Sequence, residues 1–274
     1  MPVDLHVHTT ASDGELAPSE VVRIATRAAL LAIAITDHDT TGGLDEALRA
    51  GASAATEVLS GVELSVDEAT GSDVHVLGLL VDHRDPGLNA ALAGLRDERE
   101  ERARAMVEAL ARAGYPIDVD SVREIAGSGS IGRVHIARAL VSAGSSPTIE
   151  AAFGALIGRD APFYFRKRTL RAAEAIDVIH GAGGVAVLAH PGVSGEEALP
   201  ELLTAGIDGV EAYHAEHTAF DRERFLALAA ANGLIVTGGS DFHAADVRSA
   251  PIGGGGCPDD AVEALRRRAA RYRS

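Results

Sequence analysis

The 274-residue chain has one cysteine, one lysine, two methionines and no tryptophan, and aromatic residues make up only 4% of it. Cys257 alone cannot form an internal disulfide, so nothing asks for an oxidising compartment and a cytoplasmic location is expected. No apolar run approaches the roughly 18 residues of a membrane span. The longest runs from about Ala28 to Ile35, and Val3-Asp4-Leu5-His6-Val7-His8 follows no basic leader, so neither an anchor nor a signal peptide is expected. Lys167 as the sole lysine among 25 basic residues reads as compositional bias without functional weight. Basic charge is scarce overall: 25 Lys+Arg against 40 Asp+Glu leave a net −15. That balance disfavours an extended groove for a long polyanion but leaves room for a small anionic substrate, because bound cations reverse the sign locally.

What is present is a regular alternation. Short apolar runs near 3–8, 32–37, 58–66, 74–81, 185–190, 209–214 and 235–240 read as strands. Helical spacing fills 18–31, 42–55, 171–182, 196–205 and 219–232 between them. Repeated βα units imply a parallel sheet or barrel, and seven strands suggest closure. The alternation breaks after Leu88. Residues 89–113, with Arg96-Asp97-Glu98-Arg99-Glu100-Glu101-Arg102, read as one long helix with a solvated charged face, and 114–165 as short helices joined by turns. The expected organisation is a barrel formed by 1–88 and 171–274, with a helical insert, 89–170, capping its active site.

The eleven histidines are informative by placement. Asp4, His6 and His8 alternate on the first strand and so share one face. Asp13 lies in a Ser-Asp-Gly turn, Asp37 and His38 terminate the second strand, Glu63 and His75 lie on the third and fourth, His190 ends the fifth, and Asp241 and His243 follow the last. Strand C-termini form the active rim of barrel enzymes. Six histidines (His6, His8, His38, His75, His190, His243) and three carboxylates (Asp13, Glu63, Asp241) exceed what one ion needs and fit two or three cations. Imidazole and carboxylate without thiolate suit Zn, Mn or Fe, undistinguished.

Asp4-x-His6-x-His8, Ser12-Asp13-Gly14, Thr36-Asp37-His38, Gly61-x-Glu63, His75, Ala189-His190-Pro191 and Ser240-Asp241-x-His243 together resemble the motifs of the PHP (polymerase and histidinol phosphatase) family. The resemblance covers residues 1 to about 90 and 170 to 250. It implies a distorted (β/α)7 barrel with an inserted small helical subdomain, a trinuclear metal site and phosphoester hydrolysis by a metal-bridging hydroxide. Carried over by residue, His6, His8, Glu63 and Asp241 hold one metal, Asp13, His38 and His243 a second, and Glu63, His75 and His190 the third. Asp4 and Asp37 are expected behind these ligands, as acceptors orienting imidazoles. His214 is a candidate for contact with substrate or bound water; His83, His180 and His217 are not favoured.

Substrate choice falls to the insert. Gly132-Arg133-Val134-His135 opens an expected helix, whose free N–H groups and neighbouring guanidinium suit a phosphate. It is similar to the Gly-Arg-Pro-His stretch of PHP nucleotide 3′,5′-bisphosphate phosphatases and 5′-to-3′ exoribonucleases, with Val134 at the proline. Arg133 and His135 are expected to bind a second phosphate, and Arg166 and Lys167, beside Phe163-Tyr164-Phe165, to contact substrate. The expected substrate is a 3′,5′-bisphosphate or the 5′ end of a short single-stranded oligonucleotide, with no obligate protein partner. Alternatives are a phosphomonoesterase of the histidinol-phosphatase type and a non-catalytic metal-binding module.

Overall fold

The computed structural model describes residues 2–67, 73–127, 129–166, 169–244 and 250–273. In chain order the elements are β1 (Asp4–Val7), α1 (Pro18–Arg27), β2 (Ala32–Ile35), α2 (Leu44–Gly51), β3 (Glu57–Asp67) and β4 (Asp73–Leu79). The helices α3 (Pro86–Arg112), α4 (Val119–Ala126), α5 (Arg133–Ser142) and α6 (Ile149–Ala152) follow, and α6 runs into a π-turn at Phe153–Ile157. Next come β5 (Leu170–Arg171), α7 (Ala172–Gly181), β6 (Val185–Leu188), α8 (Leu199–Ala205), β7 (Gly209–His214), α9 (Ala219–Asn232), β8 (Ile235–Gly239) and α10 (Asp260–Ala269). Among the described residues no helix is long and apolar enough to cross a membrane.

Seven strands share one sheet in the order β1-β2-β3-β4-β6-β7-β8, and the two-residue β5 pairs with β3. The edges meet through backbone bonds from His8 N to Phe242 O (2.9 Å) and from Asp241 N to His6 O (3.0 Å), closing a distorted (β/α)7 barrel. One expectation needs correction. The strands are not uniformly parallel, because β4 runs antiparallel to both β3 and β6. The connection from Asp67 to Asp73 is far too short for a parallel crossover, which takes a dozen or more residues. His75 therefore lies near the start of its strand, and the reversed direction carries that start to the rim where the other strands end.

Period-two alternation sorts the barrel's layers. Ala32, Ala34, Leu59, Leu77, Leu79, Val185, Val187 and Ile235 share one buried cluster with α10. The intervening Val62, Leu64, Val74, Val76, Ala186, Leu188, Val210 and Ala212 pack with α3, α7, α8 and α9 instead. Continued toward the rim, the first face presents Thr36, Glu63, His75 and Glu211. At the other end Asp208 accepts from His180 Nε2, Arg268 Nη1 and Tyr272 Oη, each at 2.7 Å, and His180 stacks on Tyr272 at 3.8 Å. His180 thus fastens the C-terminal helix, far from the rim.

The insert is bound to the barrel by α3. Leu88, Leu92 and Leu95 join the barrel core, whereas Ala103, Met106, Val107 and Leu110 form a second core with α4, α5 and α6. Arg99 lies in the same stripe and is 7% exposed. The expectation of a wholly solvated charged face is overturned there: burying Arg99 is tolerated because Asp39 faces it.

Candidate metal centre and the cleft above it

The strand ends bring His6, His8, Asp13, His38, Glu63, His75, His190, Asp241 and His243 together. Gly239 lets β1 approach, since a Cβ there would fall 2.3 Å from the Cβ of His6. His6 Nε2 and His8 Nε2 are 3.1 Å apart. Glu63 Oε2 lies 3.4 and 3.2 Å from them, and Asp241 Oδ1 3.3 and 3.1 Å. The second Glu63 oxygen serves another group: Oε1 is 3.0 Å from His75 Nδ1 and 3.2 Å from His190 Nε2, which are 3.3 Å from each other. Asp13 Oδ1 is 3.3 Å from His243 Nε2, and Asp13 Oδ2 is 4.0 Å from His38 Nε2.

These separations fit cations. Ligand atoms at about 2.1 Å from one ion stand roughly 3.0–3.4 Å apart at octahedral to tetrahedral angles. His38 Nδ1 and Glu63 Oε2 face each other at 2.8 Å, and these two, with His8 Nδ1 and Asp13 Oδ1, are buried without a partner in hydrogen-bond geometry. Each such group costs about 1–3 kcal/mol if left so, and a cation relieves them together. Burial works to raise the carboxyls of Glu63 and Asp241, but the imidazoles around them, His38, His75 and His6 for Glu63 and His6 and His243 for Asp241, hold both well below the usual carboxylate range. Burial pushes His38 down to about 4, the neutral state that ligation requires. His190 and Asp241 adopt left-handed backbone (φ 29° and 51°), which aims strand-end side chains back over the mouth. Such strain costs about 1–3 kcal/mol and collects at functional sites.

The supporting residues differ from expectation. Asp4 accepts from Ser240 N (2.9 Å), Ser240 Oγ (2.7 Å) and Gly253 N (2.7 Å). Asp37 accepts from Thr9 N (2.8 Å), Thr9 Oγ1 (2.8 Å) and Ser12 Oγ (2.6 Å). The correction is that both hold ligand-bearing loops through backbone and hydroxyl groups rather than orienting imidazoles. The carboxylate that does meet an imidazole is Glu211, which the sequence reading missed: its Oε2 lies 3.2 Å from His6 Nδ1. Burial alone would raise Glu211, but His6, His214 and His190 hold it at about 2. Its signal was a lone Glu inside the apolar strand β7. His214 is buried, takes the Glu216 N–H at Nδ1 (3.2 Å) and directs Nε2 to Asp241 Oδ2 at 3.8 Å. His217 bridges Gly192 N and Ala212 O, and His83 pairs with Asp45, so both are structural.

Above the cluster lies a cleft of about 450 Å³ with Asp13, His38 and His75 on one side and Arg99, Arg102, Gly132, Arg133, Val134 and Phe153 on the other. Arg133 Cζ sits 5.6 Å from the Phe153 ring and 5.4 Å from the Tyr164 ring. Arg102 Cζ also lies over the Tyr164 ring, 5.4 Å from its centre, and Nε donates to Phe165 O at 2.7 Å. Two predicted contacts fall elsewhere. His135 is buried and uses Nδ1 to accept from Gly132 N (2.9 Å), so it shapes the start of α5 from behind; burial lowers it to about 4. Arg166 is exposed and does not line the cleft. Lys167 lies outside the described residues.

Comparison with known proteins agrees with this geometry. The PHP domain family matches residues 4–180. The 3′,5′-nucleoside bisphosphate phosphatase of Chromobacterium violaceum is 38% identical over 250 residues, covering 88% of this chain and 87% of that protein. Phosphoribosyl 1,2-cyclic phosphate 1,2-diphosphodiesterase of Eggerthella lenta is 34% identical over 253 residues, covering 88% and 93%. The 5′-3′ exoribonuclease Rnm of Escherichia coli is 34% identical over 250 residues, covering 88% and 84%. A solved metal-dependent phosphoesterase from Bifidobacterium adolescentis superposes with a TM-score of 0.89 at 34% identity over 98% of both chains. The chain belongs to the PHP domain family, and it is a metal-dependent hydrolase of phosphoric ester bonds.

Proposed function

We propose that this enzyme hydrolyses a phosphoester of a nucleotide carrying two phosphates, a 3′,5′-bisphosphate, or of the 5′ end of a short oligonucleotide. The observation that carries the reading is the cleft in which Arg102, Arg133 and the start of α5 face Asp13, His38 and His75 of the ligand cluster. Three divalent ions fit the donor set: one with His6, His8, Glu63 and Asp241, one with Asp13, His38 and His243, one with Glu63, His75 and His190. Nitrogen and oxygen donors without thiolate suit Zn, Mn or Fe. Such ions, when bound, polarise a phosphoryl oxygen and make hydroxide available near neutral pH.

The chain's own groups then divide the remaining work. The start of α5, with the Arg133 guanidinium fork beside it, is a favourable place for the phosphate that is not cleaved. Contact with Phe153 and Tyr164 holds Arg133 in place before substrate arrives, so less freedom is lost on binding. Phe153 also gives the cleft an apolar face on which a base can rest. A phosphomonoesterase of the histidinol-phosphatase type would have no use for these groups.

The test is phosphate release by the manganese-loaded enzyme from adenosine 3′,5′-bisphosphate, AMP and histidinol phosphate in one assay. A kcat/KM preference of tenfold or more for the bisphosphate is expected, about 1.4 kcal/mol of discrimination. Equal use of all three, or preference for histidinol phosphate, overturns the substrate reading and leaves the metal chemistry intact. Arg133→Ala is expected to cost about 1.5–3 kcal/mol on the bisphosphate, the size of a lost hydrogen bond to a charged group. An equal loss on AMP would show that Arg133 does not hold the second phosphate.

A further inference from the structure

We infer that Glu211 is a positioning residue of the metal centre, holding His6 by its ring and His190 by its backbone through one carboxylate oxygen. Glu211 is fully buried on β7, between the strands that end in His190 and in Asp241. Its Oε2 is 3.2 Å from His6 Nδ1 and accepts the backbone N–H of His190 at 2.8 Å. The first contact places the His6 proton on Nδ1, which leaves Nε2 unprotonated and turned toward His8, Glu63 and Asp241. Without that acceptor the ring is free to take the other tautomer, which presents an N–H where a lone pair is required.

The second contact acts on a different part of the site. His190 has left-handed backbone, and in that conformation its ring Nε2 lies 3.2 Å from Glu63 Oε1. An acceptor fixed beneath its N–H holds the turn in place. One oxygen thereby sets the geometry of two residues that serve the two different Glu63 oxygens. β7 supplies none of the nine ligand residues, yet it is tied to the ends of both neighbouring strands, Glu211 to His190 and His214 to Asp241, and through Glu211 to His6 on β1. His214, His6 and Glu211 offer donor atoms within 4.8 Å of one another, and Glu211 Oε1 has no hydrogen-bond partner. That second oxygen makes a direct ligand role the competing assignment, which the test must separate from positioning.

The inference rests on His6 being a metal ligand, so the experiment includes a control for that reading. Wild type, Glu211→Ala, Glu211→Gln and His8→Asn are stripped of metal and titrated with Mn²⁺. Bound metal is measured by elemental analysis and by the Mn²⁺-induced rise in melting temperature. Glu211→Ala is expected to need about 10- to 100-fold more Mn²⁺ for half-saturation, the usual effect of removing a carboxylate behind a ligating imidazole. At saturating Mn²⁺ it is expected to reach the wild-type stoichiometry and to regain most of its kcat. Glu211→Gln keeps one acceptor oxygen and the side-chain volume, so it is expected to lie between Ala and wild type even where Ala fails to fold. Unchanged Mn²⁺ dependence in both variants, with His8→Asn impaired, overturns the assignment to Glu211 alone. Loss of a whole metal equivalent at saturation would make Glu211 a ligand and equally overturn it. A wild-type titration by His8→Asn would instead defeat the reading of the metal centre itself.

Discussion

Glu63→Gln is expected to lower phosphoester turnover by at least about 10²–10³-fold, the loss seen when one preorganised charge-stabilising group is removed. The reason for so large an effect from so small a change is the position of the two oxygens. Oε2 stands within 3.4 Å of His6 and His8, and Oε1 within 3.2 Å of His75 and His190. Glutamine fills the same space but replaces one oxygen by an NH₂, so one of these nitrogen groups faces N–H donors instead of a carboxylate. The side chain is fully buried and cannot turn away to water. Metal content by elemental analysis should therefore fall along with activity, while far-UV circular dichroism stays that of the folded protein. Asp241→Asn strikes one group, so it should also abolish turnover but release less metal than Glu63→Gln, whereas His38→Ala strikes two and should abolish turnover with a larger loss of metal than Asp241→Asn. Full turnover with full metal in Glu63→Gln would remove the shared carboxylate from the account of the site.

Much of this site was legible because strands enforce a strict rule. With a period of two, Asp4, His6 and His8 must share a face, and a buried face carrying two imidazoles and a carboxylate requires partners. The same rule puts Glu63 and His75 on one face once the strands are placed, with Glu63 opposite Leu77, and strand-end motifs supply the remainder. The barrel followed from the alternation, and helices α3 to α6 occupy the stretch where it is interrupted after Leu88. What escaped was what depends on three-dimensional pairing. The antiparallel β4 was hidden because an apolar strand reads alike in either direction. Glu211 was passed over because one acid in β7 has no meaning until His6 is known to lie beside it. Asp4 and Asp37 were placed near the ligands, but which donors they would find depended on loops from Ser12, Ser240 and Gly253. Arg99 was the most readable of the misses. Leu88, Leu92, Leu95, Ala103, Met106 and Leu110 form a stripe with helical spacing, and Arg99 falls within it. Its neighbours' charges suggested a solvated run, and the stripe was the better guide.

Arg99→Met is accordingly expected to destabilise the protein by about 3–5 kcal/mol in urea unfolding, the cost of removing one partner from a buried ion pair. Arg99 Nε donates to Asp39 Oδ2 at 2.5 Å, Nη2 to Ser65 Oγ at 3.3 Å, and Nη1 lies 3.5 Å from Ile131 O. Asp39 also accepts from Ser65 N at 2.8 Å and stands next to His38 in left-handed backbone. One guanidinium thus joins the ends of β2 and β3 to the loop that leads into Gly132 and Arg133. Methionine suits the apolar stripe between Leu95 and Ala103, so the loss isolates the stranded carboxylate rather than a cavity. The double variant Asp39→Asn/Arg99→Met removes both charges and should recover a large part of the stability, whereas two independent sites would give additive losses. Arg99→Lys should fall between, because an ammonium retains the charge but cannot span all three acceptors. A loss below about 1 kcal/mol for Arg99→Met is the range of exposed pairs and would mean that Arg99 is solvated after all. The insert would then be held over the metal centre by apolar packing of α3 alone, and Arg133 would owe its position to Phe153 and Tyr164 without help from the barrel rim.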